Sequence, residues 1–239
     1  VRNDSFNRRK INSVQRNAAI KVLDCLLKSN NEDNIGIEGY GPDYLIYASV
    51  LKNNDINLKD LDGISNKDLK ELRERLLMRI SENKKGDLYD LVALLYNEPF
   101  GIRKPLIPIL LVSLLRDRWD KFIFYSNGMY VDTSSGSNIF DMVVNHSERY
   151  SYDFFELDKK YEVLVSELEK VFKHFYPNDQ ESKHRPILLC DAMLNWLRSL
   201  PRISQMTNEI TNDLIEFRNI IRRSEVAPIE AIHEMYEIF

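Results

Sequence analysis

Apolar residues at Ile11, Val14, Ala18, Val22 and Leu26 recur three and four positions apart, while Arg8, Arg9, Lys10, Arg16 and Lys21 take most of the other face. This spacing predicts an amphipathic helix over residues 9–28. The polar run Ser29–Asn34 ends it, because Asn and Asp side chains compete with a helical backbone for hydrogen bonds. Gly36, Gly39 and Gly41 permit a sharp bend, and Pro42 suits a first helical position, so a second helix is expected over residues 42–53. Ser65, with Asp68 three residues on, predicts the cap of a third, whose buried stripe is Leu69, Leu72, Leu76 and Ile80. Asn83-Lys84-Lys85-Gly86 ends that helix, and another is predicted over residues 87–97.

The segment Glu98-Pro99-Phe100-Gly101-Ile102-Arg103-Lys104-Pro105 breaks this helix and starts the next, which tolerates Pro105 and Pro108 because the first amides of a helix lack intrahelical partners. That helix, running to about Arg116, is apolar nearly all round and is expected to be buried. Phe122–Tyr125, the turn dipeptide Asn127-Gly128 and Met129–Val131 predict a hairpin. A short helix near Asn138–Asn145, capped by Ser137, precedes a third predicted strand, Tyr152–Phe155. Helix, tight turn, helix and hairpin is the order of a winged-helix-like unit. Beyond it, Tyr161, Leu164, Leu168, Val171 and Phe175 mark a helix over residues 159–175, and further helices are predicted at about 186–200, 207–223 and 228–238. The stripe of the second of these is Ile210, Leu214, Phe217 and Ile221.

The expected fold is therefore mainly α, multi-helical, with a small antiparallel hairpin or three-stranded sheet at a winged-helix-like centre. Three parts are expected within one compact body cut from a longer protein: a helical subdomain over 1–86, the winged-helix-like unit over 87–157, and a helical subdomain over 158–239. The softest boundary is placed in the polar loop Pro177–Arg185.

Composition narrows the function. With 44% hydrophobic and 29% charged residues the 239-residue chain is too apolar for intrinsic disorder, and its net charge of -4 lacks the footprint of a dedicated nucleic-acid binder. Cys25 and Cys190, far apart, fit buried thiols in a reducing, cytoplasmic compartment. The longest apolar run, Leu106–Leu115, is shorter than the ~18 residues that cross a bilayer, so no membrane partner is expected.

Candidate chemistry is sparse. The Gly36–Asp43 loop lacks the lysine of a phosphate loop and carries Glu38 and Asp43, so it reads as a structural turn. Asp179, Glu181 and Lys183 carry the residue types of a metal-dependent nuclease but lie in a loop, without the rigid strands that fix metal geometry. His146, His174, His184 and His233 show no zinc spacing, and His184 near Cys190 reads as packing rather than a thiol nucleophile with its base. No catalytic, cofactor or metal residue is assigned, and an enzyme is the weakest reading. Arg222 and Arg223 suit the negative end of a helix. Arg8, Arg9 and Lys10 at a helix start have no such explanation, and with Arg16, Arg103 and Lys104 they are the candidate contacts for a partner or nucleic acid.

Gly36-Ile37-Glu38-Gly39-Tyr40-Gly41-Pro42, then Pro99-Phe100-Gly101-Ile102-Arg103-Lys104 leading into Pro108-Ile109-Leu110-Leu111, then the Leu200-Pro201 break, resemble a helical region of very large prokaryotic multidomain ATPase-bearing proteins, some from genome-defence or mobile-element settings. The resemblance implies a connecting or regulatory domain whose ATPase core lies outside these residues, and it supplies no site residue. Sequence thus points to a non-enzymatic interaction or regulatory domain of a larger prokaryotic protein, bound to its other domains or to protein partners. The alternative is a nucleic-acid-contacting module using the basic first helix and the Arg103/Lys104 corner.

Overall fold

A computed structural model describes residues 11–28, 33–156, 159–177 and 185–238, with the backbone alone at 159 and 160. The chain is mainly helical with a small antiparallel sheet. Contacts divide it into two units, Val1–Phe154 and Phe155–Phe239.

In the first unit, α1 (Ser13–Leu27) starts in a reciprocal cap: the Asn12 side chain accepts from the Gln15 amide at 2.8 Å, and the Gln15 side chain accepts from the Asn12 amide at 3.0 Å. Ala18, Val22 and Leu26 are buried as the spacing predicts, joined by Ala19 and Leu23, whereas Val14 in the first turn is exposed. After a turn at Asp33–Gly36, α2 (Pro42–Val50) begins at Pro42 and ends short of residue 53 in a 3-10 turn, Lys52–Asn54. α3 (Lys67–Glu82) buries the expected Leu69, Leu72, Leu76 and Ile80. Its cap is Asn66, which accepts from the Leu69 amide at 3.2 Å, while the Ser65 hydroxyl donates to Asp55 instead.

Directly after α3 comes a strand that the sequence did not announce, β1 (Lys85–Asp87), and then α4 (Leu88–Tyr96). A 3-10 turn, Lys104–Leu106, leads into α5 (Ile107–Leu114), every residue of which is buried. β2 (Phe122–Ser126) and β3 (Met129–Val131) form the predicted hairpin, with Asn127 at φ +52° and Gly128 at φ +75°, the left-handed pair that an Asn-Gly turn provides. α6 (Gly136–Asn145) is capped by Ser135 rather than Ser137, and β4 (Tyr150–Phe154) returns to the sheet. The sheet has four strands, not three, in the order β1-β4-β2-β3 with every pair antiparallel. In contrast to a hairpin merely appended to two helices, β4 separates β1 from β2. One continuous apolar core runs from Ala18 to Phe154, so the described residues of 11–86 and of 87–154 share a single interior.

The second unit packs α7 (Lys159–Phe172), α8 (Arg185–Ser199), α10 (Asn212–Arg223) and α11 (Pro228–Ile238) around their own core, with the short α9 (Arg202–Met206) between α8 and α10. Because α7 and α8 share this core they belong to one unit, and the division falls between Phe154 and Phe155; the stretch 178–184, where the softest boundary was expected, lies outside the described residues. The buried stripe of α7 is Tyr161, Val165, Leu168 and Phe172, while Val171 is exposed. No helix among the described residues is long and apolar enough to cross a membrane.

Candidate functional site

The turn after α4 is built by backbone hydrogen bonds. Gly101, at φ +57°, donates its amide to the Asn97 carbonyl at 3.0 Å, and Ile102 donates to Leu95 at 2.9 Å. These bonds fold the chain back on the end of α4, where the Glu98–Pro99 peptide is cis. They also hold Arg103 and Lys104 at an exposed corner. The Lys104 ammonium lies 5.7 Å from the Tyr96 ring centroid, a cation–π distance.

Opposite this corner stands the first turn of α3. Between them opens a cleft of about 290 Å³ whose lining is polar and apolar in about equal measure: Asn66, Asp68, Glu71 and Arg103, with the half-buried Phe100 and Ile102 and the buried Leu69, Leu72 and Leu106. Arg103 lies on one side, and Asp68 and Glu71 lie on the other. Glu71 accepts a 2.6 Å bond from Arg75, whose guanidinium sits 5.5 Å from the Phe100 ring centroid. The surface therefore carries both signs of charge around a mixed polar and apolar slot. Asp68 stands in the first turn of α3, whose cap is Asn66.

The other candidate residues are placed elsewhere. Arg16 is half-buried on α1 with its guanidinium 5.6 Å from the Phe140 ring of α6, and Lys21 is 2.5 Å from the buried Asp43 of α2. The two described cations of that face, Arg16 and Lys21, are thus engaged inside the first unit. Arg8, Arg9 and Lys10 lie outside the described residues, as do Asp179, Glu181, Lys183 and His184. Arg116, between α5 and the hairpin, donates to the Leu26 and Lys28 carbonyls at 3.0 and 2.8 Å and so satisfies the end of α1. Burial lowers its pKa. Arg223 pairs with Glu234, and Arg222 donates to the Gln205 carbonyl at 2.6 Å.

The buried Arg73 and Asp43 are each held in a structural ion pair. Arg73, nearly inaccessible, grips both oxygens of Asp117 at 2.9 Å, reaches Asp62 at 3.0 Å and donates to the Leu114 carbonyl at the end of α5. Partial burial would raise the Asp117 carboxyl, but the hydrogen bond and charge of Arg73 outweigh it and hold the group below its ordinary value. Asp43 shows the same balance with Lys21. The Cys190 thiol is pushed up to about 12 by burial, which leaves it without thiolate character. The His233 ring stacks on Tyr161 at 4.5 Å. Among the described residues no three His, Cys, Asp or Glu side chains converge to hold a metal ion.

Sequence reasoning located the Arg103 corner but not its acidic counterpart. Asp68 was legible only as a capping residue, and nothing local in the sequence places it across from Phe100. Compared with known proteins, the chain matches no family model, no curated protein and no solved structure.

Proposed function

We propose that this chain is a non-enzymatic interaction or regulatory module of a larger cytoplasmic prokaryotic protein, and that it docks other domains or protein partners. One observation carries the reading. α5, the helix that a winged-helix unit would lay in a nucleic-acid groove, is buried along its whole length, and the exposed corner beside it borders a mixed polar and apolar cleft with charges of both signs. A nucleic-acid surface needs a concentration of cations, because phosphate binding is driven by counterion release. A polypeptide partner offers apolar anchors with charged flanks, which match Phe100, Ile102, Arg103 and Asp68.

Fluorescence anisotropy with labelled duplex DNA and with RNA, over a salt series, tests the reading. Weak affinity that does not respond to Arg103→Glu/Lys104→Glu supports docking of protein. Affinity that falls steeply with salt and is lost in that variant, or in Arg9→Glu, overturns it in favour of the nucleic-acid-contacting alternative.

A further inference from the structure

Between α8 and the buried part of α10 the second unit carries a stretch that contributes nothing to its core. From Pro201 to Leu214 no residue is buried, and only Gln205 and Thr207 are half-buried. Periodicity predicts Ile210 and Leu214 on the buried stripe of a helix starting at 207, but α10 starts at Asn212 and both residues are exposed. In α9 itself Ile203 is 82% and Met206 63% exposed. Apolar burial therefore does not hold this stretch in place.

Polar bonds hold it instead, most of them from two arginines of α10. Arg218 donates to the Thr207 carbonyl at 2.7 Å, to the Ser204 carbonyl at 3.4 Å and to the Asn208 side chain at 3.3 Å. Arg222, one turn further along, donates to the Gln205 carbonyl at 2.6 Å, and the Gln205 side chain donates to the Leu200 carbonyl at 2.7 Å. The two guanidinium groups thus satisfy the last carbonyls of α9, which have no partner within so short a helix.

Arg218 is covered in a different way from the other buried arginine. Arg218 is 7% and Arg73 3% exposed, but Arg73 grips the carboxylates of Asp117 and Asp62. Arg218 bonds only neutral oxygens, no carboxylate among the described residues pairs with it, and its Nε is enclosed without an acceptor. Opening the stretch would let water reach this guanidinium and would free the backbone above it. It would add little apolar surface to water, because Ile203, Met206 and Ile210 are already there. The hydrogen bonds alone oppose opening, and each exchanges with water at a modest net cost.

We propose that residues 201–210 form a strap that opens and closes over Arg218 while α8, α11 and the buried part of α10 stay folded. Closed, the α9 carbonyls occupy both guanidinium groups and Arg218 is sealed from water. Open, Arg218 joins Arg222 in solvent, one turn apart on one face of α10. The strap thus governs whether this unit presents one guanidinium there or two, whatever docks at the Arg103 cleft.

Amide hydrogen exchange of the whole chain, read by mass spectrometry, tests the strap. Residues 201–210 are expected to exchange ahead of α8 and α11, at a rate that low urea hardly changes, since the opening exposes little new surface. Arg218→Lys keeps the buried charge but loses the fork that spans the Ser204, Thr207 and Asn208 acceptors. It should accelerate exchange in the strap roughly tenfold, about 1.4 kcal/mol in opening free energy, and leave α8 and α11 unchanged. Phenylglyoxal should modify Arg218 in the native protein and Arg73 only after denaturation. Strap exchange that rises with urea in step with α8 and α11 overturns the proposal, because the stretch then opens only when the unit unfolds. So does unchanged strap exchange in Arg218→Lys, or labelling of Arg218 no faster than of Arg73. If Arg218→Lys lowers the urea midpoint, Arg222→Ala, at an exposed position, decides by the same exchange measurement. Acceleration confined to 201–210 supports the strap, and acceleration throughout the unit, or none, overturns it.

Discussion

The amide of Gly136 donates to the Asp24 carboxylate at 2.7 Å, so a side chain on α1 satisfies the first turn of α6. At the same point a Cβ on Gly136 would lie 2.6 Å from the Ile20 carbonyl oxygen and 2.8 Å from the Leu23 Cβ. The two helices meet backbone to backbone, and only glycine fits between them.

Gly136→Ala is therefore expected to lower stability by about 1–3 kcal/mol through overpacking. Asp24→Ala, which removes only the hydrogen bond, should cost about 1 kcal/mol. Urea midpoints measure both, and a Gly136→Ala protein as stable as the parent would show that the helices do not approach this closely.

Asp117 gives the chain an acid-sensitive joint. Its carboxyl is held below the ordinary value of 3.8, so the stability contributed by the Arg73 pair is present above about pH 4 and is lost as pH falls through the folded-state pKa. Asp117→Asn should be less stable than the parent at pH 7, by about 2 kcal/mol since Asp117 is partly exposed. The difference should shrink as pH falls through the folded-state pKa of Asp117. A difference that is constant with pH would mean that the pair's charge contributes nothing.

Arg116 holds the end of α1 through two differently directed N–H donors, a geometry that an ammonium cannot reproduce. Arg116→Lys should cost about 1 kcal/mol and accelerate amide hydrogen exchange in the last turn of α1. Unchanged exchange there would assign that turn's order to packing alone.

How much of this was readable from the chain depended on whether the cause was local. The stripes of α3 and the Asn127-Gly128 hairpin were legible because spacing and turn chemistry act within a few residues. β1 was not, since Lys85-Gly86-Asp87 has no strand propensity of its own. It pairs because Gly86 leaves room for the Tyr152 ring, whose atoms lie 3.2 Å from where a Cβ would stand, and because the Tyr152 hydroxyl donates to the Asn83 carbonyl. The caps at Ser65 and Ser137 were misplaced by one and two residues for a related reason: several polar residues compete at each start, and the surrounding fold chooses. Of the candidate site, Arg103 could be read from the Pro-Gly turn. Its juxtaposition with Asp68 is a tertiary fact.

The two thiols should differ sharply in reactivity. Cys190 is fully enclosed, with its sulfur 3.7 Å from the Pro228 carbonyl, while Cys25 is half-buried, and burial raises its pKa as well. Iodoacetamide at pH 8 should modify Cys25 slowly and leave Cys190 untouched until denaturant is added, as read by mass spectrometry. Equal labelling in the native protein would contradict the enclosure of Cys190.

β4 sits between β1 and β2 yet is the last piece of the first unit to be made. During synthesis β1 must wait more than sixty residues for its neighbour, and the hairpin stays without its long partner until Phe154 clears the ribosome. The nascent first unit is therefore an unfinished sheet until its final residues arrive, and a message truncated upstream of Tyr150 would yield a chain with two unsatisfied strand edges for chaperones or proteases to find.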